Sequence, residues 1–271
     1  MAPLRPVQVA VDGSDNGWTA LGWAVRVAQG AGAPLEVLYA VPRDLLAAVT
    51  GGAARPPEDE DGVTREALAR VAKLAPELEV HANVLQGTPQ NALLAQSRAA
   101  SVLVMGTRGL TGLRGWWVGS VSKSLAEYAL CPVVVCKTAQ DDGGEEVPMP
   151  TGDVVVVVDP VVPSAGVLDF AYRSALFLRT GVRIVAAPSE ARDLEHLLER
   201  QRARFPEVSV EVRQANGAAV DELIGESQRA GLVVVGRPSE MSLLGNTRAG
   251  IAATVLEQAQ CPVAVVPLGR H

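Results

Sequence analysis

An internal repeat constrains the fold of this chain more than any other feature of its sequence. When the chain is shifted by 130 positions, the apolar run 101–105 falls on 231–235 and Gly106 falls on Gly236 without a gap. Cys-Pro-Val at 131–133 is repeated in the same register. The repeat therefore predicts two similar structural units in one chain.

The first strand is repeated as well, but at a different offset. Asp12 matches Asp159 at an offset of 147, so the first copy is longer. The excess is placed at 43–61, a stretch rich in Gly, Pro and acidic residues that is typical of an extended loop.

The length of 271 residues suits two domains of ordinary core-forming size. We predict domains at 1–140 and 153–271. The segment between them, 141–152, is acidic and contains Gly and Pro, a composition typical of a solvated linker.

Each copy shows the pattern β-α-β-α-β-α-β-α-β. Strands alternating with helices predict parallel strands with right-handed crossovers, so the expected fold is α/β with two doubly wound, five-stranded, mostly parallel sheets of Rossmann-like type. Strands are expected near 7–11, 34–41, 79–85, 101–105, 132–137, 153–158, 182–187, 207–213, 231–235 and 262–267, and helices of the first copy near 16–30, 62–75, 88–99 and 119–130.

A glycine-rich run, GTRGLTGLRGWWVGSVS at 106–122, joins an apolar strand to a helix. Glycine exposes backbone N–H groups, and a helix start adds unsatisfied donors and a partial positive charge. A second strand end, at 7–15, carries Asp-Gly-Ser. Carboxyl ends of parallel strands are where ligands bind, so the sequence predicts a phosphate site at this edge.

The usual nucleotide signatures do not occur: there is no GxxxxGK[ST], and no GxGxxG follows the first strand. The spacing Gly106-x2-Gly109-x9-Gly119-Ser120, together with VDGS at 11–14, closely resembles the ATP-binding pattern of the universal stress protein family. The resemblance extends to 20–24, 33–41 and 131–133 and covers most of residues 5–138.

This resemblance implies an adenine nucleotide alpha hydrolase-like fold and a set of nucleotide-binding residues. Asp12 would bind ribose hydroxyls or hold Mg²⁺ through water, and Val41 would address adenine. Gly106 and Gly109 would face the ribose and inner phosphates. The full expected set is Val11, Asp12, Gly13, Ser14, Val41, Met105, Gly106, Arg108, Gly109, Gly119, Ser120, Val121 and Ser122, with the last four at the outer phosphates.

Four side chains of the glycine run have alternative interpretations. Arg108 and Arg114 could neutralise phosphate or be solvated. Trp116 and Trp117 could cover the loop, lie in an interface or pack on the domain.

The second copy departs from the binding pattern. Gly109, Gly119, Ser120 and Ser122 are matched by Ser239, Ala249, Gly250 and Ala252, while Pro160 replaces Gly13 and Pro238 removes an amide donor. We therefore expect one nucleotide per chain, bound by the first copy.

The expected function is that of an ATP-binding regulatory or stress-response protein with slow hydrolysis or none, because the glycine run contains no His, Asp or Glu. The alternatives are a binder of cyclic AMP or AMP, a low-turnover ATPase or phosphotransferase with Asp12 or a partner supplying the base, and a scaffold without ligand.

The net charge of −6 argues against nucleic acid and anionic membranes as partners. Three dispersed cysteines and three isolated histidines predict neither a disulfide framework nor a metal site. No signal region or membrane-length apolar stretch is evident, which predicts a cytoplasmic protein.

The resemblance also implies an assembly. In the family, last strands pair across a two-fold axis, so strands 133–137 and 263–266 are expected to meet antiparallel in an internal pseudo-dimer. A homodimer of whole chains is a further option.

Overall fold

The computed structural model describes residues 4–41, 60–107, 119–137, 151–158, 165–186, 191–215, 219–237 and 248–268. The chain divides into two compact units, Met1–Cys136 and Lys137–His271. Each has the predicted alternation of strands and helices.

The described elements of the first unit are β1 (Val7–Ala10), α1 (Asp15–Ala31), β2 (Leu35–Val41), α2 (Glu60–Leu74), β3 (Val80–Gln86), α3 (Pro89–Gln96), β4 (Val102–Gly106), α4 (Ser120–Tyr128) and β5 (Val133–Cys136). Those of the second unit are β6 (Val154–Val158), α5 (Ala165–Leu178), β7 (Val182–Ala186), α6 (Ala191–Arg204), β8 (Val210–Gln214), α7 (Ala219–Glu226), β9 (Leu232–Arg237), α8 (Arg248–Gln258) and β10 (Val263–Pro267).

The strand order in the first unit is β3-β2-β1-β4-β5, with every neighbouring pair parallel. In the second unit it is β10-β9-β6-β7-β8, again parallel. The α/β fold with parallel, doubly wound sheets is confirmed. The order reverses between β1 and β4, so the chain leaves this pair in opposite directions and opens a crevice above it.

Two helices cover each face of the first sheet: α1 packs against α2, and α3 packs against α4. Leu21, Ala24, Val25 and Ala28 form a buried stripe along α1. Strand β4, near the centre of the first sheet, is buried on both faces, which explains its continuous apolar run.

The ends of α1 are fixed by local chemistry. The Ser14 hydroxyl accepts a hydrogen bond from the Gly17 N–H (3.2 Å) and caps the start. Gly32 closes the helix in the left-handed region at φ 60°, where a residue without Cβ is favoured.

Ser97 lies just beyond the end of α3, as its C-cap residue. Its hydroxyl donates to the Leu94 carbonyl and accepts from the Leu130 N–H. Ser227 makes the equivalent bonds to Ile224 and Gln260, so both copies retain this link.

Candidate functional site

A cleft lies at the carboxyl end of the first sheet, above the β1–β4 pair. Its cavity volume is about 140 Å³. It is bordered by the ends of β1, β2 and β4 and the starts of α1, α3 and α4. The described lining residues are Ala10, Val11, Asp12, Gly17, Leu38, Ala40, Pro89, Leu93, Met105, Gly106, Gly119, Ser120, Val121 and Ser122.

The turn after β1 is organised around Asp12. Asp12 Oδ1 accepts hydrogen bonds from the Ser14 N–H (3.1 Å) and the Ser14 hydroxyl (2.5 Å). Gly13 makes the turn possible at φ +80°, a conformation that other residues rarely adopt. Val11 and Asp12 line the cleft, whereas Gly13 and Ser14 shape the corner that holds them.

Gly17 in the first turn of α1 faces the same carboxylate. A Cβ added there would lie 3.1 Å from Asp12 Oδ1, tighter than most real Cβ contacts. The missing side chain therefore leaves room for the Asp12 carboxylate. The sequence does not indicate a role for Gly17, because its proximity to the Asp12 carboxylate arises from the fold and belongs to no sequence motif.

Gly106 ends β4 and borders the cleft, but its missing side chain serves packing. A Cβ built there would overlap the carbonyl group of Asn16, at the start of α1, and would lie 2.8 Å from the Asn16 Cβ. Only a glycine lets α1 approach β4 this closely. Packing therefore requires a glycine at position 106, and the expected place of Gly106 at the ribose stays a prediction.

The start of α4 borders the cleft. Gly119 is the N-cap residue at φ −64° and ψ 158°, and no side chain caps the helix. A Cβ added at Gly119 would meet no described atom within 4 Å. Ser120 is exposed and Ser122 is buried. The first amides of α4 therefore meet the cleft without a side-chain cap.

The opposite wall is apolar and is formed by Leu38 and Ala40 of β2 and Pro89 and Leu93 of α3. These residues were not among the predicted site. Alternation along β2 could have indicated that Leu38 and Ala40 share a face. Pro89 and Leu93 follow only from knowing where α3 crosses the sheet.

Val41 does not line the cleft in this structure. It is 2% exposed, and its carbonyl accepts a hydrogen bond from the Gly87 N–H at 2.9 Å. Gly87, at φ +123°, turns the chain from β3 toward α3. Val41 thus helps to shape the rim of the cleft, and its expected role at adenine stays a prediction.

Several predicted residues fall outside the described ranges: Arg108, Gly109, Arg114, Trp116 and Trp117 in the first unit, and Asp159, Pro160, Pro238 and Ser239 in the second. The side chains of Ala249 and Gly250 do so too.

The corresponding point of the second unit is packed differently. A Cβ on Gly236 would lie 3.2 Å from Val167 and 3.3 Å from Leu268, both side chains. Ala252, at the position of Ser122, is buried and has no hydroxyl. The second unit retains the glycine but surrounds it with apolar groups.

Within the described ranges, no cluster of three or more His, Cys, Asp or Glu residues could hold a metal ion. All three cysteines, Cys131, Cys136 and Cys261, are free and buried. Burial raises the pKa of Cys136 well above the usual range and that of Cys261 to about 12. Among the helices that are described, none is both long and apolar enough to cross a membrane.

Comparison with known proteins agrees with this architecture. The model of the universal stress protein family matches residues 3–137 and 167–267. A universal stress protein of Mycobacterium tuberculosis is 31% identical over 274 aligned positions, covering 95% of this chain and 97% of that protein. The chain belongs to the universal stress protein family, in its tandem form.

Solved structures show the same fold along the whole chain. A protein of unknown function from Pseudomonas aeruginosa has a TM-score of 0.69 and 18% identity, covering 98% of this chain and 93% of that one. A universal stress protein from Archaeoglobus fulgidus has a TM-score of 0.65 and 16% identity, with 98% and 99% covered.

Proposed function

We propose that the first unit binds one adenine nucleotide, ATP, in the cleft above β1 and β4, and that the protein acts as a nucleotide-dependent regulator. The observation that carries this is a single cleft with three chemically different parts: an uncapped helix start, a carboxylate and an apolar wall.

The phosphates would lie at the start of α4. Amides there have no side-chain cap, and the helix dipole adds a partial positive charge. Ser120 is exposed and can add a hydroxyl donor. Arg108 and Gly109, which the family resemblance adds to this end, complete the proposed phosphate site.

The nucleoside would lie between Asp12 and the apolar wall. Leu38, Ala40 and Leu93 offer an apolar surface for a flat base, because burying the faces of an aromatic ring lowers the free energy of the complex. Hydrogen bonds from Ser14 already orient Asp12, so its carboxylate can accept hydrogen bonds from ribose hydroxyls without first being ordered. Mg²⁺ held through water is the alternative role for Asp12.

We propose one nucleotide per chain. In the second unit Ala252 replaces a cleft serine, and apolar side chains pack around Gly236. Titration calorimetry with ATP should give a stoichiometry of one per chain. Two equivalent sites would contradict this assignment.

We propose that hydrolysis is slow. Asp12 is the sole titratable side chain among the described residues that line the cleft, and its Oδ1 accepts two bonds from Ser14. Turnover should therefore fall far below the enzyme median of about 10 per second. Robust ATPase activity that Asp12→Ala abolishes would instead support the enzyme alternative.

The most direct experiment is native mass spectrometry of the purified protein, followed by parallel calorimetric titrations with ATP, AMP and cyclic AMP. ATP should bind most tightly if the start of α4 receives the outer phosphates. Tightest binding of AMP or cyclic AMP would replace ATP in the proposal, and no binding of any adenylate would overturn it.

The proposal includes two further points from the family resemblance. The last strands, β5 and β10, would pair antiparallel in an internal pseudo-dimer. A regulator that responds to ATP needs a compartment containing it, so the proposed location is the cytoplasm.

A further inference from the structure

Strand β3 is the outermost strand of the first sheet, with β2 as its neighbour. It pairs with β2 over all seven residues, from Val80 to Gln86, with no interruption of the register. An uninterrupted outer strand of this length presents a row of backbone groups to any further strand.

The hydrogen-bond pattern shows which groups these are. The Glu79 carbonyl accepts from the Leu35 N–H, and the Gly87 N–H donates to the Val41 carbonyl. In a parallel pair, alternate residues bond the same neighbour, so odd-numbered residues of β3 bond β2. The even-numbered residues, Val80, Ala82, Val84 and Gln86, therefore direct their N–H and C=O groups outward.

Side-chain chemistry does not block this edge. Apart from the imidazole of His81, β3 has no ionisable side chain, and it contains no proline. Val84 is 39% exposed, and Leu74 at the end of the adjacent α2 is 57% exposed. Charged side chains, proline and bulges are the usual means of protecting an outer strand.

The second unit carries such protection at the same positions. Its outer strand, β8, is shorter, and Glu211 and Arg213 replace His81 and Asn83. Glu211 accepts hydrogen bonds from Arg213 (2.7 Å) and Arg183 (3.0 Å).

The end of α6 continues the contrast. Arg204 replaces Leu74 there and forms an ion pair with Asp169. The two units thus have equivalent strand orders, but the outer strand carries charged side chains only in the second unit.

We propose that β3 is the interface between two copies of this chain, paired antiparallel about a two-fold axis at Asn83. In this register every outward-facing residue has a partner: Val80 pairs with Gln86 of the other copy, and Ala82 with Val84. The two-fold axis repeats both pairs, which makes four in all, and each pair exchanges two hydrogen bonds, as hydrogen-bonded pairs of an antiparallel ladder do.

At the centre, Asn83 of one chain faces Asn83 of the other in a non-hydrogen-bonded pair, with the two Cα atoms about 4.5 Å apart. The two side-chain amides can bond each other, because each contains a donor and an acceptor. His81 faces Leu85, so no like charges oppose one another across the axis. Ala82 and Val84 bring apolar groups together on the neighbouring positions.

The central Asn83 pair allows a charge-swap test on the full-length protein. Asn83→Arg alone places two arginines opposite each other, and Asn83→Glu alone places two glutamates there. We expect sedimentation equilibrium to show a dimer for the wild type and at least tenfold weaker dimerisation for each variant. An equimolar mixture of the two variants should recover a dimer, because opposite charges then face each other.

The matched control is Arg213→Lys in β8, which should leave the dimer unchanged. Circular dichroism and thermal melting check that the variants fold, since Asn83 is exposed. Amide exchange supplies a second readout: Val80, Ala82, Val84 and Gln86 should exchange more slowly at high protein concentration than at low.

A monomeric wild type at all accessible concentrations would overturn the proposal. So would a dimer that both Asn83 variants leave intact, or mixed variants that stay monomeric when each alone is folded. The nucleotide proposal does not depend on this interface and would survive any of these results.

Discussion

Two glycines of the same cleft illustrate how differently one residue type can act. Gly119 and Gly106 both belong to the glycine run that predicts phosphate binding. A Cβ on Gly119 would meet no atom of the described ranges, whereas the same position on Gly106 is filled by the backbone of Asn16. We expect the first glycine to leave space for a ligand, and the second lets a helix approach a strand.

Gly119→Val should therefore separate binding from folding. The backbone angles at Gly119 suit any residue, and no described atom lies near the new side chain. The melting temperature should stay close to that of the wild type. Affinity for ATP should fall, because the valine side chain would keep the phosphate from reaching the amides of α4, and each lost bond to a charged oxygen costs about 1.5–3 kcal/mol, or roughly 10- to 150-fold. Calorimetry measures this, and unchanged affinity in a folded variant would place the phosphate site elsewhere.

Gly106→Ala should do the reverse and destabilise the fold. The added methyl overlaps the Asn16 carbonyl, and overpacking of this kind costs about 1–3 kcal/mol or more. Urea denaturation of the variant should show a lower midpoint. Gly22→Ala is the control, because a Cβ there meets nothing within 4 Å and alanine favours a helix by about 1 kcal/mol. Equal stability of Gly106→Ala and the wild type would refute the packing role.

At the scale of elements, the sequence pattern predicts where the strands and helices lie, but it does not predict which of their residues meet at the cleft. Apolar runs such as 101–105 locate a buried strand to within a residue or two, since a strand covered on both faces admits little else. Pro89 and Leu93 could not be assigned to the site, because helix placement depends on packing across the sheet. The role of Val41 at adenine stays a prediction, because a strand end in the sequence does not show which way its carbonyl points.

The ion-pair network of the second unit is a further feature that no motif announces. Arg183 on β7 donates to Asp153, Glu211 and Glu226, which are far apart in sequence. Hydrogen bonds from Arg213 and then Arg183 lower the pKa of Glu211 below its usual 4.5. A carboxylate with a lowered folded-state pKa adds stability above the unfolded value, and this is lost as the pH falls through the folded value.

Glu211→Gln should consequently reduce stability at pH 7 but make little difference at pH values below the lowered folded-state pKa of Glu211, where the wild-type carboxyl is protonated as well. Chemical denaturation at the two pH values measures both differences. The effect should be small, since Glu211 is half exposed and screened by solvent. Glu77→Gln, at an exposed position of the first unit, is the control. A difference that persists unchanged in acid would exclude the carboxylate as its source.

At the scale of the whole molecule, the two copies show that a shared topology does not require shared chemistry. Both units have parallel sheets with equivalent strand orders. The repeat in the sequence predicts this, because strands and helices recur with the same periodicity. The cleft residues and the outer strands differ, and we expect each difference to change what that unit binds.

The proposed internal pseudo-dimer makes a prediction about cleavage. If β5 and β10 pair, the two units should stay together after a protease site introduced at 141–150 is cut. Size-exclusion chromatography should show the fragments eluting together, and guanidinium should separate them. Fragments that elute separately under native conditions would show that the covalent link alone joins them.

Helix α4 begins at Gly119 without a side-chain cap, unlike α1, which Ser14 caps. Glycine in place of a capping side chain costs a helix about a few tenths of a kcal/mol, so the first turn of α4 should fray more readily than that of α1 in the absence of an anion. An anion at that point would do the work of the absent side chain, and ordering of the turn would then accompany binding. Part of the measured heat of association would come from helix formation, and the ligand would become a structural component of the element that holds it.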